Sequence, residues 1–288
     1  MKSKKILCNS NQFPQKLLTL PDTPKELYIL GGDLGELLAR PAVAIVGSRK
    51  VSTYGRQVTD KLAGELARAG VVVISGLAIG VDGIAHRAAL EAGGLTLAVL
   101  PGSVEQIYPA NHLSLAKQIV EQGGALVSEY PAGTTTHKSN FIARNRIVAG
   151  LADAVLITEA AEKSGTLHTA DFALQQGTDV LAVPGNITSP TSAGTNNLIR
   201  TGATIVTSAN DIFEVLGIQP AGKQRTTAPK GGTPEEQLLL GLLFAGTEAG
   251  EELLEASKLD VRQFNQTLTM LEIRDHIRPL GNNRWSLK

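Results

Sequence analysis

The stretch VAIVGSRK, residues 43–50, decides the fold. Four apolar residues run without interruption into Gly47, and Ser48, Arg49 and Lys50 follow at once. An apolar run with no polar alternation is a strand buried on both faces, the kind found in parallel sheets sandwiched between helices. Its abrupt end at a glycine and two cations marks the strand's carboxyl edge. Glycine lets backbone N–H groups come close to a ligand, and the cations give that ligand's charge a sign.

Similar runs recur along the chain: VVVIS (71–75), TLAVL (96–100), ALVS (125–128), AVLIT (154–158), VLAVP (180–184) and ATIV (203–206). Helical patterns lie between them at about 53–69, 81–93, 112–122, 140–150, 165–176 and 194–200. Strands alternating with helices predict βαβ units and a doubly wound, mostly parallel α/β sheet over residues 41–217. Right-handed crossovers then bring every strand's carboxyl end to one edge, where open α/β sheets bind their ligands. Residues 1–40, with turn signals at Pro14, Pro21, Pro24 and Gly31-Gly32, read as a lead-in to that sheet.

Residues 218–233 carry Pro, Gly, Thr and Lys without apolar period and read as a linker. Thr233, Pro234 and Glu236 then predict a helix start closed by a capping box. Beyond it come helices at 234–243, 250–257 and 261–273 and a hairpin, HIRPL and RWSL around a turn at 281–283. Three helices and a two-stranded wing predict a small winged-helix domain over 234–288. In its last helix Val261, Phe264, Leu268 and Leu271 fall on one face, the core, and Arg262, Gln263, Asn265, Gln266 and Thr269 on the other.

Composition narrows the function. The chain has 288 residues, of which 42% are hydrophobic, 19% charged and 4% aromatic, with 27 basic against 27 acidic residues. A basic coat for nucleic acid or membrane is excluded, so any polyanion site is local. Cys8 is the lone cysteine, which removes a disulfide framework and a cysteine-based zinc site. The apolar run ILC (6–8) is too short for a signal peptide, and no run reaches the length of a membrane span. These features predict a cytoplasmic protein. The histidines show no ligand spacing, so no metal is expected, and His86, one helical turn after Asp82, reads as structural.

Of the twelve Lys and Arg in 41–220, seven follow strand ends: Arg49, Lys50, Arg56, Lys138, Arg144, Arg146 and Lys163. That concentration points to a polyanion on the carboxyl edge. Phe141, between Lys138 and Arg144, offers a stacking face beside the charges, the combination single-stranded nucleic acid requires. Other readings stay open. Phe141 has the chemistry of a core residue, Arg144 and Arg146 can pair with Glu129 or Glu159, and Gly76, Gly80 and Gly83 can serve helix–strand packing. The chain lacks G-x-G-x-x-G after the first strand, a P-loop and a G-x-S-x-G elbow, which argues against a standard dinucleotide site, a P-loop ATPase and an α/β-hydrolase.

AIVGSRK, SGLAIGVDGIAH, AVLPGSVEQIYP, SEYPAG, FIARNRIVAGLADAVLITEAAEKSGTLHTADFALQQG and LAVPGN, in this order, resemble the DprA/Smf family of DNA processing proteins. The resemblance runs from about residue 12 to the C-terminus. It implies an extended Rossmann-like fold and a homodimer that binds single-stranded DNA without cleaving it. It also implies help in loading the RecA recombinase during natural transformation, with no cofactor. Carried over position by position, the family's DNA contacts fall on Gly47, Ser48, Arg49, Lys50, Lys138, Phe141, Arg144, Asn145, Arg146, Lys163 and Ser164. A proline common before R-N-R is Ile142 here, and the helical domain that many members carry before the sheet has no counterpart in the lead-in. The competing resemblance is to nucleoside-monophosphate phosphoribohydrolases, whose P-G-G-x-G-T-x-x-E supplies a glutamate at the ribose. Aligned on Gly165-Thr166, this chain places Thr169 there.

Overall fold

The structure is a computed structural model that describes residues 3–218 and 231–287, with Asp275 and Asn282 excepted. The chain divides into two compact units, Met1–Pro220 and Ala221–Lys288.

The first unit is built on nine strands: β1 (Lys4–Leu7), β2 (Glu26–Gly31), β3 (Ala42–Val46), β4 (Val72–Ser75), β5 (Thr96–Val99), β6 (Ala125–Ser128), β7 (Ala154–Ile157), β8 (Asp179–Ala182) and β9 (Thr204–Ile205). Its helices are α1 (Gln15–Leu18), α2 (Leu34–Leu38), α3 (Thr53–Arg68), α4 (Val81–Glu91), α5 (Leu113–Glu121), α6 (Lys138–Leu151), α7 (Leu167–Gln175), α8 (Ala193–Arg200) and α9 (Ala209–Val215). The strands lie in the order β1-β2-β6-β5-β4-β3-β7-β8-β9. From β6 to β9 every pairing is parallel.

All five residues of β3 are buried, as VAIVG predicts. Val43 and Ile45 join Leu62, Leu66 and Ala85 on one face, and Ala44 and Val46 join Ile147, Val148 and Ala170 on the other. The chain leaves β3 for β4, β5 and β6 on one side, then returns to β7 on the other. The order reverses between β3 and β7, so the crevice beyond their carboxyl ends is the sheet's switch point. GSRK leaves β3 into that crevice.

Residues 1–40 are more than a lead-in. β2 pairs antiparallel with β6, and β1 pairs antiparallel with β2, so the stretch extends the sheet by two strands. Phe13, Leu17, Leu20, Leu27 and Ile29 all enter the core. The Pro and Gly signals correctly mark turns, but they mask a half-buried six-residue strand, β2, between them. Helix α9 also has no counterpart in the pattern read off the sequence; Asp211 closes its capping box with Ser208.

The second unit holds α10 (Pro234–Phe244), α11 (Gly250–Ser257), α12 (Val261–Ile273) and a hairpin of β10 (Ile277–Gly281) and β11 (Arg284–Leu287). Its own core joins Leu239, Leu240, Leu243, Leu253, Phe264, Leu268, Leu271 and Ile277. Two details correct the sequence reading. Glu236 does not close a capping box on Thr233: Thr233 Oγ1 accepts from Glu236 N at 3.2 Å, while Glu236 Oε2 accepts from Gly232 N at 2.6 Å and pairs with Arg274 at 2.8 Å. Val261 is 61% exposed, and Thr267 takes the inward position, because the buried stripe runs 264, 267, 268, 271 and the helix begins beyond the core. Of the expected linker, residues 219–230 lie outside the described residues, as does Asn282 of the hairpin turn.

Candidate nucleic-acid interface

The loop carrying Ser48, Arg49 and Lys50 is held at both ends by one residue. The Glu159 carbonyl, just past β7, accepts from Ser48 N at 2.8 Å, and Glu159 Oε2 accepts from Ser52 N at 2.9 Å. Ser52 caps α3 by accepting from Gly55 N at 3.0 Å. Glu159 is buried, and a Cβ at Gly55 would lie 2.2 Å from its Oε2. The carboxylate thus occupies the amino end of α3, where an anionic ligand would otherwise settle. Any phosphate must be met on the loop's outer side, where Arg49 and Lys50 are exposed.

The neighbouring loops press against this one. Ser48 O accepts from Val81 N at 3.2 Å. Gly80 has φ +90°, and a Cβ there would stand 2.3 Å from Ser48 O, so both the conformation and the space demand glycine. From the α7 side, Thr166 Oγ1 donates to Gly47 O at 3.0 Å, and Ser164 Oγ donates to Thr166 Oγ1 at 3.0 Å. Gly47, Ser48 and Ser164 therefore come together at the switch point, and Lys163 next to them is exposed.

Arg49 turns toward α6. Its guanidinium carbon lies 5.1 Å from the centroid of the Phe141 ring, and Tyr108 meets Phe141 edge-on at 5.5 Å. Phe141 is half-buried on the edge of the sheet rather than part of the core. Tyr108, 55% exposed, belongs to the segment PGSVEQIYP that follows the third apolar run, though it is not among the DNA contacts carried over from the family. Lys138, one turn before Phe141, is exposed at the start of α6. Among the described residues Arg49, Lys50, Lys138 and Lys163 form no ion pair.

Arg144 and Arg146 are different: the structure turns both inward, against the expectation that they face a polyanion. Arg144 is 4% exposed, and its Nη1 donates to Gly76 O at 2.6 Å and to Val99 O. It thereby ties together the chain just past β4 and the end of β5. Burial lowers its pKa to about 10, with the charge of Asp82 acting in the opposite sense. Arg146 is 7% exposed and grips Glu129 with two hydrogen bonds of 2.8 and 2.7 Å, with Asp22 3.0 Å away. Asn145, half-buried, accepts from Arg144 Nε at 3.2 Å. Strand ends leave carbonyls without partners, and a buried forked cation satisfies two at a time.

His86 is the structural histidine the spacing suggests. Thr96 Oγ1 gives its one proton to Val73 O at 2.6 Å, so His86 must donate to it through Nδ1, also at 2.6 Å. Nε2 then carries a lone pair with no partner in the interior. Burial, reinforced by the nearby His112, Arg144 and Arg87, pushes the imidazole pKa down from 6.5 to about 3. The unfolded chain then binds a proton that the folded one refuses. The neutral ring's contribution is intact above about pH 6.5 and is lost as pH falls toward 3. We expect His86→Asn to flatten the fall in stability between about pH 6.5 and 4.5, by up to roughly 1.4 kcal/mol per pH unit. Urea midpoints across that range decide it; parallel curves for both proteins overturn the assignment.

Fold and site together define an open α/β protein whose carboxyl edge presents cations and aromatic rings at the switch point. The chain belongs to the DNA recombination-mediator protein A family, whose model matches residues 4–217. It is 44% identical over 213 residues to Protein Smf of Escherichia coli, and 41% identical over 211 residues to DNA processing protein DprA of Bacillus subtilis. Each match covers 73% of this chain, and 56% and 70% of those two relatives respectively. Among solved structures it is similar to DNA processing protein A of Streptococcus pneumoniae, with TM-score 0.69, 38% identity and 74% of each chain covered. It is also similar to DNA processing protein A of Helicobacter pylori, a protein with a described single-stranded DNA binding mode. That likeness has TM-score 0.67 and 35% identity, covering 74% of this chain and 95% of the other.

Proposed function

We propose that this protein is a single-stranded DNA-binding recombination mediator that protects incoming DNA and helps load RecA during natural transformation. It acts as a homodimer in the cytoplasm, without a cofactor. One observation carries the DNA reading: exposed Arg49, laid over the Phe141 ring at 5.1 Å, stands at the switch point with Lys50, Lys138 and Lys163 unpaired among the described residues. Cations answer phosphates, and aromatic faces answer unstacked bases, which duplex DNA does not present. RecA, the dimer and the role in transformation rest on family membership.

The nucleotide-hydrolase alternative finds less support. Thr169, at the position of the ribose-binding glutamate, is 1% exposed in the body of α7 and carries no carboxylate. Nor does the second unit suit duplex DNA: over 231–288 acidic residues outnumber basic ones nine to six, and Arg274 and Arg284 are tied to Glu236 and Glu248. We assign that unit to protein contact. No described helix is long and apolar enough to cross a membrane.

The test is fluorescence anisotropy with labelled oligo-dT and a matched duplex at two salt concentrations. Tight, salt-sensitive binding to the single strand is expected. Lys138→Ala should weaken it across all sequences and reduce the salt slope by about 0.7 for each phosphate no longer neutralised. No preference for the single strand sinks the reading, and measurable release of base from AMP would replace it.

A further inference from the structure

A further aromatic ring stands on the same edge, apart from the cluster of Arg49, Phe141 and Tyr108. Tyr54 lies in the first turn of α3, five residues past Arg49, and is 46% exposed. Its hydroxyl donates to Pro184 O at 2.7 Å, so the polar end is spent on the main chain and the ring is what remains to offer. Pro184 opens the loop that follows β8, and that loop is built rather than slack. Asn196 grips Gly185 in both directions, accepting from its N–H and donating to its carbonyl, each at 3.0 Å. Asn186 Oδ1 accepts from Thr188 N and Oγ1, both at 2.9 Å. A Cβ on Gly185 would stand 2.1 Å from Ser192 Oγ, so the loop closes tightly on itself.

Tyr54, Ser52 and this loop line an open cleft of about 440 Å³, completed by Gly185, Asn186, Ser189 and Ser192. Its chemistry selects its occupant. Neither a cation nor a carboxylate lines it, so it does not suit a phosphate or an ammonium group. An aromatic face, hydroxyls and one amide suit a neutral planar group with hydrogen-bonding edges, and the volume is at the small end of ligand sites. Beside it Ile187 offers an apolar side chain that is 92% exposed. Five residues of chain limit the distance from Arg49 to at most about 18 Å.

We propose that Tyr54 and the loop 184–192 form a second base-binding subsite, so that the strand continues past Arg49 and seats a further nucleobase on the Tyr54 ring. This rests on the single-stranded DNA reading above. The full-length protein is irradiated with oligo-dT carrying 5-iododeoxyuridine at single positions, and the crosslinked residues are identified by mass spectrometry. Crosslinks are expected at Tyr54, at positions offset along the strand from those reaching Phe141 or Tyr108. Tyr54→Ala should weaken binding by about 5- to 150-fold, and Tyr54→Phe, which keeps the ring, should restore most of it. Crosslinks at Phe141 or Tyr108 with none at Tyr54 overturn the subsite and leave the DNA reading intact. Loss of affinity in Tyr54→Ala without a Tyr54 crosslink also overturns it, because the ring then only supports the loop. If the wild-type protein neither binds nor crosslinks, the DNA reading and the subsite fall together.

Discussion

Arg144→Ala is expected to lose about 3–5 kcal/mol of stability, the cost of removing one partner from a buried charged network. It is also expected to leave the salt dependence of DNA binding as it was. The guanidinium is an internal staple. Its Nη1 serves the carbonyls of Gly76 and Val99, and the guanidinium lies so close above Gly76 that a Cβ there would stand 2.3 Å from Nη1. It is also the positive charge facing Asp82, a 7% exposed carboxylate whose pKa burial pushes up against the pull of Arg144. Asp82 in turn holds the loop beyond β4 by accepting from Gly76 N at 3.1 Å. With alanine in place, two carbonyls lose their donor, the carboxylate loses its counter-charge, and the emptied volume has no filler. Urea unfolding measures the first half of the prediction, and anisotropy against salt on the folded fraction measures the second. A variant that keeps its unfolding midpoint and loses a unit of salt slope would return Arg144 to the DNA.

That arginine shows where reading the sequence stops. Strands β3 to β8 were legible because doubly buried strands are short, contiguous apolar runs, and the three helices and hairpin of the tail were legible from their helix starts and turn. The carboxyl edge was legible because polar residues crowd after each run. What the sequence could not supply was direction. Lys138, Phe141 and Arg144 are spaced at i, i+3 and i+6 and look like one cationic, stacking face. Yet α6 enters the interior within its own length: Lys138 is exposed, Phe141 half-buried and Arg144 buried. Charged residues are rarely buried, so a pattern argument sends them outward; here strand-end carbonyls and Glu129 supply the partners that let two of them in. Glu159 is similar. Its place after a strand suggests a partner for Arg144 or Arg146, and only the fold shows it fastening both ends of the GSRK loop instead. Strands β1 and β2 were missed for another reason: they extend the sheet antiparallel, outside the strand–helix alternation, and the turn-forming residues on either side outweighed the apolar run of β2.

Phe141→Ala is expected to weaken single-strand binding by about 1–3 kcal/mol, and the loss should be coupled to Arg49. The ring already has neighbours: the Arg49 guanidinium over it at 5.1 Å and Tyr108 against it at 5.5 Å. A base therefore stacks most readily on the outer side of a guanidinium that Phe141 supports, since Arg planes serve as stacking surfaces for unpaired bases. In that arrangement Phe141 acts through Arg49. Removing the ring lets the guanidinium wander, and removing Arg49 leaves the ring with little further to lose. The Arg49→Ala, Phe141→Ala double variant should then cost less than the sum of the single variants, by about 0.5–3 kcal/mol. The salt slope separates the two roles: Arg49→Ala should lower it by about 0.7 for the phosphate it releases, while Phe141→Ala should leave it unchanged. Strict additivity would mean that the base displaces Arg49 and stacks on Phe141 itself, with the guanidinium swinging out to a phosphate. The two outcomes imply different bound geometries from the same free site, because one ring face cannot hold both the cation and the base.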